Sequence, residues 1–144
     1  MNIRFDEKIP DKNTFFELFL TTDWNEKYRL DADELFAAIK NSWYTISAYE
    51  SGRLVGFGRI ICDGTVHALI LDMIVHPSYE RRGIGTLILD RLKKKCREHN
   101  IRDIQLFCAK NKAAFYTKNG FVPRPKNAPG MELKNNSRTE KHER

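Results

Sequence analysis

The chain has 144 residues and a mass of 16.9 kDa, with 41% hydrophobic and 31% charged residues. This length fits one globular domain with its own core, and the composition excludes fibrous and wholly disordered classes. No apolar run is long enough to cross a bilayer, and the charged first residues do not resemble a secretion signal. Three cysteines without Cys-x-x-Cys spacing predict neither disulfides nor a metal site. We therefore expect a cytoplasmic protein with no metal and no membrane partner.

Charge is divided unevenly along the chain. Residues 1–72 hold 8 Lys and Arg against 12 Asp and Glu, a net charge of −4, whereas residues 73–144 hold 17 against 7, a net charge of +10. This asymmetry suits an anion in the second half and a cation in the first. Nucleic acid is one such anion, but the chain has no nucleic-acid recognition motif. We therefore expect no nucleic-acid partner.

Hydrophobic periodicity and turn residues predict the elements in chain order. A short strand at 2–5 precedes helices at 11–20 and 31–40, which a loop at 21–30 separates. Three strands at 43–49, 54–62 and 65–75 form an antiparallel meander. An amphipathic helix follows Gly83-Ile84-Gly85. A strand at 101–109, a helix at 113–118 and a last short strand pair within 121–133 complete the order.

This order predicts an α+β fold with a central mixed sheet of six to seven strands. The antiparallel meander leads into one βαβ crossover, and helices cover both faces of the sheet. We expect a single domain over residues 1–133. The polar residues 134–144 predict a disordered tail.

The strongest local motif is the segment 80–86, which lies between a predicted strand and a predicted helix. Gly83 and Gly85 allow the backbone to approach a ligand closely. The free N–H groups at a helix start favour an anion, and Arg81 and Arg82 add positive charge there. The motif fits a diphosphate, although a tight turn into a helix would use the same glycines.

Two nucleotide-binding motifs do not fit this segment. No Gly-Lys-Ser/Thr follows, so the segment is not a Walker loop. Ile88 stands where the dinucleotide fingerprint requires a third glycine.

Two segments together resemble the GNAT superfamily of N-acetyltransferases. Residues 71–85 contain Val75-His76-Pro77 followed by the Gly-x-Gly loop, and residues 111–121 contain Asn111, Phe115-Tyr116 and Gly120-Phe121. The resemblance runs from about residue 43 to residue 121. Glu80 departs from the family pattern, which usually has Gln or Arg there.

The resemblance implies acetyl-CoA as co-substrate and assigns roles to individual residues. A bulged strand would leave backbone groups free for the pantetheine arm, and the N–H of Ile74 would polarise the thioester carbonyl. Tyr116 would protonate the departing thiolate as general acid. The implied cofactor-binding residues are Met73, Ile74, Val75, Arg81, Arg82, Gly83, Ile84, Gly85, Thr86 and Asn111.

The acceptor side is less defined by the sequence. Asp72 is a carboxylate in an apolar strand, where it could act as a general base or lie on the exposed side of the strand. Trp24 and Tyr28 could line a pocket for an amine or belong to the core. Asn111 could bind the cofactor arm, cap a helix, or do both.

These residues lead to the hypothesis of an N-acetyltransferase. It would move acetyl directly from acetyl-CoA to an amine of a small molecule or a protein, because no Ser or Cys nucleophile with a base partner is evident. The alternative is a catalytically silent acyl-CoA sensor or regulatory module. We expect a monomer or a homodimer.

Overall fold

The computed structural model describes residues 2–135, which form two compact units, one up to Phe107 and one from Cys108. The first unit contains a 3₁₀ turn (Pro77–Tyr79) and a single sheet of β1 (Ile3–Asp6), β2 (Tyr44–Glu50), β3 (Arg53–Cys62), β4 (His67–Val75) and β5 (Asp103–Leu106). Its helices are α1 (Lys12–Phe19), α2 (Asn25–Tyr28), α3 (Ala32–Lys40) and α4 (Ile84–Glu98). The second unit contains α5 (Ala113–Lys118).

The sheet follows chain order, β1-β2-β3-β4-β5. Strands β1 to β4 pair antiparallel, whereas β4 and β5 are parallel and are connected through α4. Parallel neighbours need a crossover connection of this kind. The predicted meander, mixed sheet and βαβ crossover are therefore confirmed.

The predicted strand count was wrong. The described chain has five strands, and residues 121–135 contain none. Pro123, Pro125 and Pro129 explain this difference, because each lacks the N–H that a sheet ladder requires. The strand expected at 101–109 is also shorter, since β5 ends at Leu106.

The segment 21–30, expected to be a loop, contains the short helix α2. The Asn25 side chain accepts a hydrogen bond from Leu30 N at 2.8 Å and donates one to Leu30 O at 3.0 Å. Arg29 ends the helix in the left-handed conformation, with φ of 54°. One amide side chain thus closes a turn that hydrophobic periodicity does not reveal.

Helices α1 and α3 cover one face of the sheet. Asp11 caps α1 by accepting a hydrogen bond from Thr14 N, and Asp31 forms a capping box with Glu34 at the start of α3. The core on this face is a cluster of eight buried side chains, Phe15, Leu18, Phe19, Leu35, Ile39, Leu54, Phe57 and Ile74.

Helix α4 packs on the opposite face of the sheet, against the two glycines on either side of Phe57. Side chains alternate along a strand, so Gly56 and Gly58 face away from the Phe57 cluster. A Cβ built on Gly56 would lie 2.6 Å from Ile88 Cδ1, and one on Gly58 would lie 2.9 Å from Leu92 Cδ1. These glycines let α4 lie close to the sheet, and helices on both faces are confirmed.

Within residues 2–135, no helix is long and apolar enough to cross a membrane. Residues 136–144, most of the predicted disordered tail, lie outside the described part of the chain.

We predict that Gly58→Ala lowers the free energy of unfolding by about 1–3 kcal/mol, because the new methyl group overpacks the α4 interface. A Cβ there would lie within 3.1 Å of Leu92, Ile88 and Met73 atoms. Urea unfolding measures the change, with Lys94→Ala on the exposed face of α4 as the control. Equal stability of the two variants would contradict the close packing.

Candidate active site

Strand β4 contains a bulge at Asp72 and Met73. Leu71 pairs with Arg59, and Ile74 pairs with Phe57, so two residues of β4 lie opposite the single residue Gly58 of β3. Asp72 has φ of 53°, a left-handed conformation that is uncommon for a residue with a side chain. Bulges of this kind bend a strand and redirect its neighbours.

An ion pair accompanies the bulge. Arg59 Nε donates a hydrogen bond to Asp72 Oδ2 at 2.6 Å, and the two side chains are only 11% and 19% exposed. Arg59 Nη1 also lies 3.4 Å from both Ala38 O and Ser42 Oγ, at the end of α3. A charged hydrogen bond in this partly buried setting holds the bulge and links it to the neighbouring helix.

The hydrogen bond from Arg59 restricts the predicted role of Asp72 as a general base. The Asp72 side chain is half-buried, and Oδ2 accepts a hydrogen bond from Arg59. A proton taken from a substrate would therefore have to bind to Oδ1. Sequence reasoning missed Arg59, although a lone arginine within the apolar run of β3 was a usable signal.

Beyond the bulge, one edge of β4 has no strand partner. The parallel pairing with β5 ends at Ile70 and Leu106, whereas β4 continues to Val75. Within residues 2–135, the stretch 71–75 pairs with β3 alone. Backbone groups on the β5 side are therefore left without a ladder, as expected from the resemblance.

The directions of the N–H groups in this stretch follow from the register. His76 N donates to Val55 O at 2.8 Å, and Ile74 pairs with Phe57 two residues earlier. Because N–H directions alternate along a strand, the N–H of Ile74 also points to β3, and those of Met73 and Val75 point to the open edge. The expected oxyanion role of the Ile74 N–H does not fit this register.

The Gly-x-Gly loop leads directly into α4. Gly83 is the N-cap residue, with φ of 82°, and no side chain caps the helix. The first helical hydrogen bond is from Leu87 N to Gly83 O, so the preceding N–H groups of residues 84–86 lie before the helical ladder. Arg81 and Arg82 are exposed beside them. Uncapped amides, the helix dipole and two guanidinium groups together suit a diphosphate.

The second unit contains the other two predicted site residues. Tyr116 is 7% exposed, and its ring lies 5.0 Å from that of Phe115 and 6.0 Å from that of Phe121. Burial, with a smaller contribution from Cys108, raises the pKa of Tyr116 to about 12. Its hydroxyl therefore carries a proton throughout the neutral range. Asn111 is exposed with φ of 63°, and Lys112 rather than Asn111 is at the N-cap of α5.

The two aromatic residues expected near the acceptor have different environments. Trp24 is half-buried against Phe19, with ring centroids 6.1 Å apart, and it packs on the core of the α1 and α3 face. Tyr28 is 48% exposed. Trp24 thus has a core role, and Tyr28 is accessible.

A cavity of about 300 Å³ lies at the other end of β4, away from the bulge. His67 Nδ1 and Asp103 Oδ2 lie 2.6 Å apart along its wall, and Cys62 also lines it. None of the predicted site residues lines this cavity. In residues 2–135, no group of three His, Cys, Asp or Glu side chains could hold a metal ion.

A family model described as an acetyltransferase (GNAT) domain matches residues 41–123. An uncharacterized N-acetyltransferase of Pyropia yezoensis is 29% identical over 142 residues, covering 87% of this chain and 82% of the relative. A histone acetyltransferase of Glycine max is 30% identical over 114 residues, covering 72% of this chain and 49% of the relative. The chain therefore spans about half the length of that second relative.

Solved structures share the fold. A probable acetyltransferase from Staphylococcus aureus superposes with a TM-score of 0.79 at 23% identity, covering 93% of this chain and all of the other. An N-acetyltransferase from Thermoplasma acidophilum, solved in complex with coenzyme A, superposes with a TM-score of 0.69 at 21% identity. It covers 86% of this chain and 92% of the other.

We predict that Asp72→Asn lowers the free energy of unfolding by about 3 kcal/mol, because it leaves the half-buried Arg59 without a counter-charge. The matched control is Asp90→Asn, which breaks a longer pair with Lys93 (3.6 Å) in which Asp90 is 55% exposed, and which should cost about 0.5 kcal/mol or less. Urea unfolding of both variants gives the comparison. A loss for Asp72→Asn as small as that of the control would contradict a stabilising role of the ion pair.

Proposed function

Since this chain belongs to the GNAT family of acetyltransferases, we propose that it transfers the acetyl group of acetyl-CoA directly to an amine of a small molecule or a protein. The observation that carries the proposal is the combination of an open edge at 71–75 and an uncapped α4 N-terminus a few residues later. The amide groups of an extended arm need unpaired backbone groups at a strand edge. A diphosphate needs uncapped N–H groups at the start of a helix.

The residues present fit this co-substrate. The N–H groups of residues 84–86, with Arg81 and Arg82, would hold the diphosphate. The open edge of β4 would hydrogen-bond the pantetheine arm through Met73 and Val75, and the family motif assigns Asn111 to the same arm. When bound, acetyl-CoA supplies an acetyl group already activated as a thioester.

The N–H of Met73 is the proposed oxyanion donor. It points to the open edge, and the bulge at Asp72 precedes it. A preorganised N–H stabilises negative charge on a carbonyl oxygen as an amine attacks it. This assignment replaces Ile74, whose N–H points into the sheet.

Tyr116 is the proposed general acid, an assignment that rests on the family motif. With its pKa raised to about 12, the hydroxyl holds its proton at neutral pH and can transfer it to a departing thiolate. A tyrosine at this motif position supports an enzyme over a silent sensor, which needs no proton donor.

Asp72 fits a positioning residue better than a base, because its carboxylate is bound to Arg59. The base role stays a prediction. For the acceptor, the net charge of −4 over residues 1–72 supports an amine cation, with the exposed Tyr28 as a contact. The Glycine max relative is named for histones, which leaves a protein lysine as one candidate.

The first test is thiol release from acetyl-CoA in the presence of a panel of small amines and lysine peptides. We predict release that depends on the amine. Tyr116→Phe should reduce kcat about 100-fold, because general acid catalysis contributes at least that much, and should change the Kd for acetyl-CoA by less than about twofold.

Tyr44→Phe is the matched control, since it removes a tyrosine hydroxyl bonded to Glu7 and should retain kcat. At saturating substrates the wild-type kcat should show no alkaline loss below about pH 10, because Tyr116 remains protonated there. An unchanged kcat for Tyr116→Phe, with chemistry rate-limiting, would exclude the acid role.

A further inference from the structure

A cluster of donors lies beside the diphosphate loop and has no role in the function proposed above. Arg53 starts β3, His76 follows the last residue of β4, and Tyr79 ends the 3₁₀ turn before the loop. Arg53 Nη2 lies 3.0 Å from His76 Nε2. The Tyr79 ring packs edge-on against His76, with centroids 5.8 Å apart.

Both ring nitrogens of His76 face hydrogen-bond donors, and a neutral imidazole can accept at only one of them. Its Nδ1 accepts a hydrogen bond from Ser78 N at 3.1 Å, which leaves the proton of a neutral imidazole on Nε2. Burial and the charge of Arg53 lower the pKa of His76, so the neutral ring is favoured. The Nε2–H and the Arg53 guanidinium then face each other as two donors. Moving the proton to Nδ1 only transfers the conflict to Ser78 N.

Positive charge also accumulates at this point. The guanidinium carbons of Arg53 and Arg82 lie 5.8 Å and 5.1 Å from the centroid of the same Tyr79 ring. Within residues 2–135, Arg53 takes part in none of the ion pairs. Its cross-strand partner Glu50 has a buried Oε2 that makes no hydrogen bond. The two guanidinium groups beside the Tyr79 ring repel each other, and an anion bound between them would offset this repulsion.

We propose that Arg53 and His76, beside the Arg82 guanidinium of the diphosphate loop, form a binding site for a phosphate monoester, and that the 3′-phosphate of the acetyl donor occupies it. A phosphate oxygen accepts from both the Arg53 guanidinium and the His76 Nε2–H, which removes the conflict between the two donors. This second anion site adjoins the amides that hold the diphosphate. The assignment to the donor rests on the proposed function, whereas the phosphate chemistry rests on the cluster itself.

The test compares the binding of acetyl-CoA and of its 3′-dephospho form by isothermal titration calorimetry. Because one hydrogen bond to a charged group contributes about tenfold or more to affinity, we expect the wild type to bind acetyl-CoA about tenfold more tightly than the dephospho form. Arg53→Gln should lose this preference, and Arg53→Lys should retain part of it. Arg97→Gln, which removes an exposed arginine from the last turn of α4, should retain it fully.

A second arm uses inorganic phosphate at constant ionic strength and follows the melting temperature. A rise in the wild type and Arg97→Gln, but not in Arg53→Gln, supports the phosphate site whatever its natural source. With that result, equal binding of the two donors would mean that the phosphate comes from elsewhere and would overturn the 3′-phosphate assignment.

The remaining outcomes separate the two proposals. If neither donor form binds but phosphate stabilises through Arg53, the proposed function fails and the site remains. If acetyl-CoA binds without preference and phosphate has no effect that depends on Arg53, the site is overturned and the proposed function stands. Unchanged melting temperatures of the unliganded variants confirm that they fold.

Discussion

The ion pair between Arg59 and Asp72 is the interaction on which the rest of the site depends. It holds two residues of β4 opposite one residue of β3 and keeps Asp72 in a left-handed conformation. The left-handed conformation of Asp72 costs free energy. The partly buried, charged hydrogen bond with Arg59 offsets this cost. The result is a strand whose last residues, 71–75, direct backbone groups to an edge that β5 does not reach.

The second constraint is the close approach of α4 to the sheet. Gly56 and Gly58 provide room for Ile88 and Leu92, and Ile84 also lies against Gly56, the partner of Val75. The start of α4 is therefore held beside the end of β4. The open strand edge and the positive end of the helix dipole lie at the same end of the first unit, which is the arrangement that an arm ending in a diphosphate requires.

Local patterns were predictable from the sequence, and interactions between strands were not. Gly83 and the amphipathic residues of α4 lie within one short segment, so their structure and anion preference could be inferred. Arg59 and Asp72 are 13 positions apart, and their pairing depends on a register that a bulge shifts. The apolar residues Val122, Met131 and Leu133 suggested strands, but they are more than 80% exposed among prolines that interrupt any ladder.

The most direct measurement of the central claim is a titration of the ¹⁵N-labelled protein with acetyl-CoA, followed by amide chemical shifts. We expect the largest shifts at the amides of Met73, Val75 and residues 84–86, with little change at Ile74 and around His67 at the far end of β4. Large shifts confined to the cavity near His67, or none at saturating acetyl-CoA, would contradict the claim.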